Sequence, residues 1–288
     1  MDLAYDGTHF AGWAKQPGMR TVQETVERAW GTILRTDPPV LTVGGRTDAG
    51  VHARGSVAHL DIAEDRWRAL PNRPDRAPQR SALARLTGVL PDDIVVRSAA
   101  PAPAGFDARF SALRRRYTYR LCDRPQTADP LRRLDTVRLK QPLDVAAMNH
   151  AAASLLGLHD FAAFCRKRVG ATTIRTLLRF DFTREADGTV VAVLEADAFC
   201  HSMVRALMGV VAPVGIGQRP VEWPQTVLAA RRRDPGVTVM PAHGLCLEEV
   251  VYPPDGELAA RAAQSRARRD AGDALSGRVY LGDLLSES

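Results

Sequence analysis

Residues 44–55 read GGRTDAGVHARG and hold a single carboxylate, Asp48, among two arginines, a histidine and four glycines. A charged carboxylate with no second acid nearby suits nucleophilic attack better than proton shuttling. Arg46 stands two residues away, and in extended backbone side chains at i and i+2 leave the same face, which puts a guanidinium beside the acid. The competing reading is a turn aspartate that bonds its own backbone. Glycines at 44, 45 and 50 permit the tight turns that such a loop needs.

A loop of this kind does chemistry only if rigid elements hold it. Ahead of it, LAYDG predicts a strand. Thr21 and Glu24 form a capping box, and Val22, Val26, Trp30 and Ile33 recur at helical spacing until Pro38 and Pro39. PVLTVG predicts the strand entering the loop and SVAHLDIA, alternating through Ala58, Leu60 and Ile62, the strand leaving it. A Pro-, Arg- and Asp-rich loop over 64–80 leads to a helix striped by Leu83, Leu86 and Leu90, and then to the strand DIVVRS. This order is βαββαβ. The second half repeats it, with strands at RRYTYRLC, TIRTLLRFDF, TVVAVLEADAF and LCLEEVVYP and helices at DVAAMNHAAASLLG and SMVRALMGVVAPVG. WPQTVLAARRRD adds one extra helix.

We therefore expect an α+β protein of two tandem ferredoxin-like (βαββαβ, RRM-like) domains whose antiparallel sheets flank a basic active-site cleft. The expected boundaries are 1–110 for the N-terminal domain carrying the catalytic loop and 111–253 for the C-terminal domain. Residues 254–288 lack a firm apolar stripe and are expected to form a disordered tail.

With 39 basic against 33 acidic residues and a formal charge of +6, the 288-residue chain suits a polyanionic partner, nucleic acid or anionic membrane. The most apolar stretch, after Arg205, is too short to span a bilayer and is interrupted by Pro213. With no signal segment either, no membrane association is expected. Cys122, Cys165, Cys200 and Cys246 include no CxxC pair, which fits a reducing cytosol and a cytoplasmic protein. His59, His201 and His243 are too scattered for a metal site.

Six ordered blocks carry a family resemblance: YDGTHFAGW at 5–13, TVQETVE at 21–27, GRTDAGVHA, FDARFSALRRRYTY at 106–119, FCHSMVRALMG at 199–209 and PAHGLCLEEVVYP at 241–253. On these the chain resembles the tRNA pseudouridine synthases of the TruA type. The resemblance implies a homodimer that isomerises uridine to pseudouridine at positions 38–40 of the tRNA anticodon stem-loop, acting on a flipped-out base without a cofactor. It puts the nucleophile at Asp48, a base-packing ring at Tyr117, and at Arg205 the arginine that pairs with the catalytic acid. Substrate binding is expected of Tyr117, Arg46 and Arg205, and RNA binding of Arg109, Arg54 and His52. The run Arg114, Arg115 and Arg116 is a further candidate for phosphate contact.

Family members carry several more strand residues before LAYDG, so the first strand is expected to be short. Two other readings are a non-catalytic tRNA- or RNA-binding module and a pseudouridine synthase acting on a different RNA.

Overall fold

The computed structural model describes residues 1–71, 75–166 and 172–266. They form a mixed α+β protein in two compact units, Met1–Arg115 with Leu245–Arg266, and Arg116–Gly244.

The first unit starts with β1 (Asp2–Tyr5), α1 (Val22–Leu34), β2 (Thr42–Val43), β3 (His52–His59), α2 (Glu64–Arg68), α3 (Pro78–Val89) and β4 (Ile94–Ser98). One half of the expected capping box before α1 is found: Thr21 is N-cap and accepts from the Glu24 amide, while the Glu24 carboxylate accepts from Arg28 at 2.7 Å. Val22, Val26, Trp30 and Ile33 are all buried. β1 is the central strand, antiparallel to β3 on one side and β4 on the other, and β2 pairs with β3 through Thr42–His59 and Val43–Ala58. Helices α1 and α3 pack together, with α3 against β4.

Two expectations shift here. PVLTVG gives only the two paired residues of β2, because prolines at 38 and 39 cannot donate to a ladder. The α3 stripe is rotated: Ala82 and Leu86 are fully buried, whereas Leu83 and Leu90 are half-buried. The segment after β3, expected as loop, contains the short helix α2, which buries none of its residues.

The second unit takes nearly all of β5 (Arg114–Cys122) and runs on through β6 (Val137–Arg138), α4 (Val145–Ala153), β7 (Gly157–Asp160), β8 (Ile174–Arg184), β9 (Val190–Ala196), α5 (Met203–Gly215) and α6 (Trp223–Ala230). Strands run in the order β5, β9, β8, β7, with β6 parallel to β5. β8 and β9 are an antiparallel hairpin in register from Leu177–Ala196 to Arg184–Val190. Its turn carries Gly188 at φ 87°, as the ADG signal implies. Helix α4 lies against β8 and against α5, and α5 is nearly all buried, with the half-buried Pro213 in its last turn.

A buried ion pair ties this unit together. Asp123 receives both terminal nitrogens of Arg184 at 2.8 Å and the Leu143 amide at 2.7 Å. Cys165 and Cys200 are joined in a disulfide with Cα atoms 5.7 Å apart, a pairing their separation of 35 residues did not announce.

The chain then returns to the first unit as β10 (Leu245–Val251) and α7 (Leu258–Arg266). β10 runs parallel to β3, with Cys246 opposite His52 and Leu247 opposite Ala53. The strand expected near residue 250 thus exists, grouped with the first unit. Helix α7 falls in the stretch expected to be disordered; it buries Leu258 and Ala262, too sparse a stripe to stand out in the sequence. The rest of that stretch lies outside the described residues. No described helix is long and apolar enough to cross a membrane.

Candidate active site

Asp48 sits half-buried between the buried Thr47 and the exposed Ala49, so the carboxylate is neither sealed in the core nor on an open surface. The loop carrying it, residues 44–51, is held by backbone contacts with residues 5–13. The Trp13 amide donates to the Thr47 carbonyl at 3.1 Å and the Gly50 amide to the Phe10 carbonyl at 3.2 Å. A turn closes on Asp48 itself, whose carbonyl accepts the Val51 amide at 3.2 Å.

Two glycines make this contact possible. A Cβ on Gly7 would lie 2.0 Å from the Val51 carbonyl oxygen, and one on Gly12, at φ 98°, would lie 3.0 Å from that of Thr47 and 3.2 Å from the Asp48 carbonyl carbon. The block YDGTHFAGW is therefore a mould for TDAGV.

Side chains complete the mould. The hydroxyls of Tyr5 and Thr47 share a buried hydrogen bond of 2.8 Å. His52, at the exit of the loop, takes the Gly7 amide on Nδ1 at 3.1 Å and places that nitrogen 3.0 Å from an Asp6 carboxylate oxygen. Partial burial pushes the Asp6 carboxyl up, but hydrogen bonds from the Thr8 hydroxyl and amide work against it, and the group lies below its ordinary value.

At the entry, Gly44 has no room for a side chain, since a Cβ would stand 2.7 Å from the Tyr252 hydroxyl and 2.8 Å from the Ala108 carbonyl. The Gly44 carbonyl accepts from Arg115, and the Tyr252 hydroxyl donates to the Ala108 carbonyl at 2.7 Å. Burial raises the Tyr252 phenol well above its ordinary range, against the pull of Arg115, so it stays a donor.

Tyr117 lies on the buried face of β5 with Arg115, Tyr119 and Leu121. It is 7% exposed and meets Phe199 edge to face, centroids 5.2 Å apart at 87°. Arg205, in the first turn of α5, is half-buried. Its Nε donates to the Met240 carbonyl at 2.6 Å, while the Met240 amide donates to the Arg205 carbonyl at 3.1 Å. That reciprocal pair fixes the guanidinium to the segment entering PAHGLC. Tyr119 donates to the Pro241 carbonyl at 2.7 Å, and burial raises its phenol despite the charge of Arg205.

Among the described residues no group of three or more His, Cys, Asp or Glu side chains could hold a metal ion. Cys246 is no nucleophile: burial first, then the Glu248 carboxylate, pushes its thiol up to about 12. Asp48 is the acid that the fold presents on a shaped loop.

A family model described as tRNA pseudouridine synthase matches residues 151–253. The chain is 58% identical over 269 residues to the tRNA pseudouridine synthase A of Frankia casuarinae, covering 93% of this chain and 94% of that one. Its identity to the tRNA pseudouridine synthase A of Streptomyces griseus is 55%, over 92% of both chains. To that of Mycobacterium leprae it is 46%, over 93% and 94%. The chain belongs to the tRNA pseudouridine synthase family.

For a tRNA pseudouridine synthase, the remaining expected RNA-binding residues are spread in their environments. Arg46 and Arg109 are exposed, and the Arg109 guanidinium lies 4.9 Å from the centre of the Phe110 ring. Arg54 is exposed but donates to a Glu248 carboxylate oxygen at 2.7 Å. His52 is only 8% exposed and faces its own loop. Arg115, grouped in the sequence with Arg114 and Arg116 as a phosphate candidate, is buried and bonded to backbone. Tyr5, Thr47 and Phe199 make contacts here that the sequence reading missed, with Thr47 in the loop itself, Tyr5 on Thr47 and Phe199 on the Tyr117 ring. The signal available was their presence inside the matched blocks.

Proposed function

We propose that the chain isomerises uridine to pseudouridine at positions 38–40 of the tRNA anticodon stem-loop, with Asp48 as nucleophile and the target base turned out of the stack. The N1–C1′ bond of the nucleotide breaks, a C5–C1′ bond forms, the proton on C5 leaves and N1 gains one. The sum is zero, so the reaction consumes no redox partner, water or metal. A carboxylate can assist by adding to the sugar carbon, adding to the ring or taking a sugar proton.

The observation that carries this reading is the half-buried Asp48 on a loop moulded by a second family block. A preorganised loop bears no reordering cost when substrate arrives. Extruding the base costs a few kcal/mol, which phosphate contacts by Arg46 and Arg109 offset. Tyr117 offers a ring to the base, and Arg205 is assigned to substrate binding with it. His52, given its contacts, orders the loop.

Two ferredoxin-like units, a homodimeric assembly and a cytoplasmic location complete the proposal. The element order β1, α1, β2, β3, α3, β4 of the first unit supports the ferredoxin-like reading, with β4, β1 and β3 as neighbours and both β2 and β10 paired to β3.

The test is pseudouridine formation in an unmodified tRNA transcript, mapped by base-specific chemical labelling. Wild type should modify 38–40 without added cofactor, and Asp48→Asn should abolish product while keeping tRNA affinity within a few fold. Full activity in that variant removes Asp48 from the mechanism. Product outside the anticodon stem-loop overturns the substrate assignment.

A further inference from the structure

The link between the two moulded segments singles out one side-chain pair. Tyr5 ends β1, a strand paired on both sides. Its ring is 4% exposed and tilts against Trp13, centroids 6.0 Å apart. Thr47 is 8% exposed and immediately precedes Asp48. Their hydroxyls meet at 2.8 Å across 42 residues of sequence. A threonine Oγ held at that point fixes the Thr47 χ1 rotamer, and with the Trp13 amide on the Thr47 carbonyl it fixes the peptide plane leading into Asp48.

We infer that Tyr5 is a positioning residue for the isomerisation: its hydroxyl, acting through Thr47, sets the direction in which the Asp48 carboxylate leaves the loop. This rests on the assignment of Asp48 as nucleophile. Catalytic constellations tolerate only about 0.5 Å of misplacement before rate is lost. The Tyr5–Thr47 bond ties the residue before Asp48 to the end of β1. In this scheme Tyr5 acts on the reaction through Thr47. Its removal should therefore change the chemical step and spare binding.

The experiment uses the full-length protein and unmodified tRNA transcript, with single-turnover rate, tRNA affinity and melting temperature measured for Tyr5→Phe, Thr47→Val, Thr47→Ser, the Phe/Val double variant and Asp48→Asn. Tyr5→Phe keeps the ring and its packing and removes one oxygen. Loss of one hydrogen bond corresponds to roughly a 3- to 10-fold fall in rate, expected for Tyr5→Phe and for Thr47→Val with affinity within about twofold. The double variant should be no slower than either single one, because both remove the same bond. Thr47→Ser, which keeps Oγ, should recover most of the rate.

Wild-type rate in Tyr5→Phe overturns the inference. So does a rate loss in Thr47→Ser equal to that in Thr47→Val, or a loss that appears only as weakened tRNA binding. An active Asp48→Asn enzyme would instead defeat the nucleophile assignment, so the two failures are told apart.

Discussion

Arg115 donates twice to the carbonyl oxygen of Gly44, from Nε at 3.0 Å and Nη2 at 2.7 Å, and its Nη2 also reaches the Arg109 carbonyl at 2.8 Å. The planar fork thus joins the first residue of the Asp48 loop to the FDARF turn. That turn is closed separately by Asp107, which accepts the Arg109 and Phe110 amides at 2.8 and 2.9 Å. Lysine has neither the fork nor the reach to satisfy both carbonyls at once. Arg115→Ala should destabilise the protein by about 1–3 kcal/mol, through two carbonyls left unpaired in a buried place. Arg115→Lys should recover little of it. Chemical denaturation measures both, and an unchanged midpoint for Arg115→Lys would contradict the role of the fork.

Gly12 bears on the other side of the same loop. With φ at 98° and the Thr47 carbonyl 3.0 Å from a would-be Cβ, alanine there is strained by its backbone and by its neighbour together. A non-glycine residue forced into such a conformation costs of order 1–3 kcal/mol. Relief must come from moving Thr47 or Asp48. Gly12→Ala is therefore expected to lower the melting temperature and to slow pseudouridine formation by more than tenfold. Gly18 also has positive φ, at 70°, but nothing stands within 4 Å of its Cβ position. Gly18→Ala should then share only the backbone strain and leave turnover unchanged, and equal activity loss in the two variants would refute the mould.

The Asp123–Arg184 pair makes the second unit sensitive to acid. Burial works to raise the Asp123 carboxyl, yet the Arg184 hydrogen bonds and the Leu143 amide outweigh it and leave the group below its ordinary 3.8. A carboxyl depressed in the folded state contributes its full stability above the unfolded value. That contribution is lost as pH falls through the folded one. Melting temperature should accordingly drop between about pH 5 and pH 2 in the wild type. In Asp123→Asn the same drop should be shallower, from a lower starting point at pH 7. Asp123→Ala leaves the partly exposed Arg184 only the Gly188 and Leu143 carbonyls and should cost about 1–3 kcal/mol at neutral pH. Parallel pH profiles for wild type and Asp123→Asn would remove Asp123 from the account.

Where sequence and structure agree, the signal is local. The Thr21 cap, the α1 stripe and the glycine turn between β8 and β9 depend on neighbours within four residues, and all three are found. The Asp48 loop was legible because residue types carrying chemistry crowd into twelve positions. What holds the loop was not, since Tyr5 meets Thr47 across 42 residues and Arg115 meets Gly44 across 71. The run Arg114 to Arg116 reads as a candidate for phosphate contact, and only the strand alternation of β5 decides that Arg115 turns inward. His52 reads as a candidate for RNA contact, and its bond with the Gly7 amide is seen only once β1 brings that residue beside it. The Cys165–Cys200 pairing leaves no trace in spacing.

Charge at the surface separates two arginines that the sequence treats alike. Arg54 is committed to Glu248 at 2.7 Å, with side chains 44% and 16% exposed, whereas Arg109 lies exposed over the Phe110 ring. A cation that neutralises a phosphate releases counterions, so its loss lowers the slope of log affinity against log salt by about one. An arginine already covered by a carboxylate has less to give, and its removal uncovers a negative charge that repels RNA. Arg109→Ala should therefore weaken tRNA binding and reduce the slope by about one between roughly 50 and 200 mM salt. Arg54→Ala should weaken binding too, but Arg54→Ala with Glu248→Ala should return it to the wild-type affinity and slope. Filter binding across that salt range measures all of this. If the Arg54/Glu248 double variant binds as weakly as Arg54→Ala alone, Arg54 contacts phosphate directly and its pairing with Glu248 does not shape RNA binding.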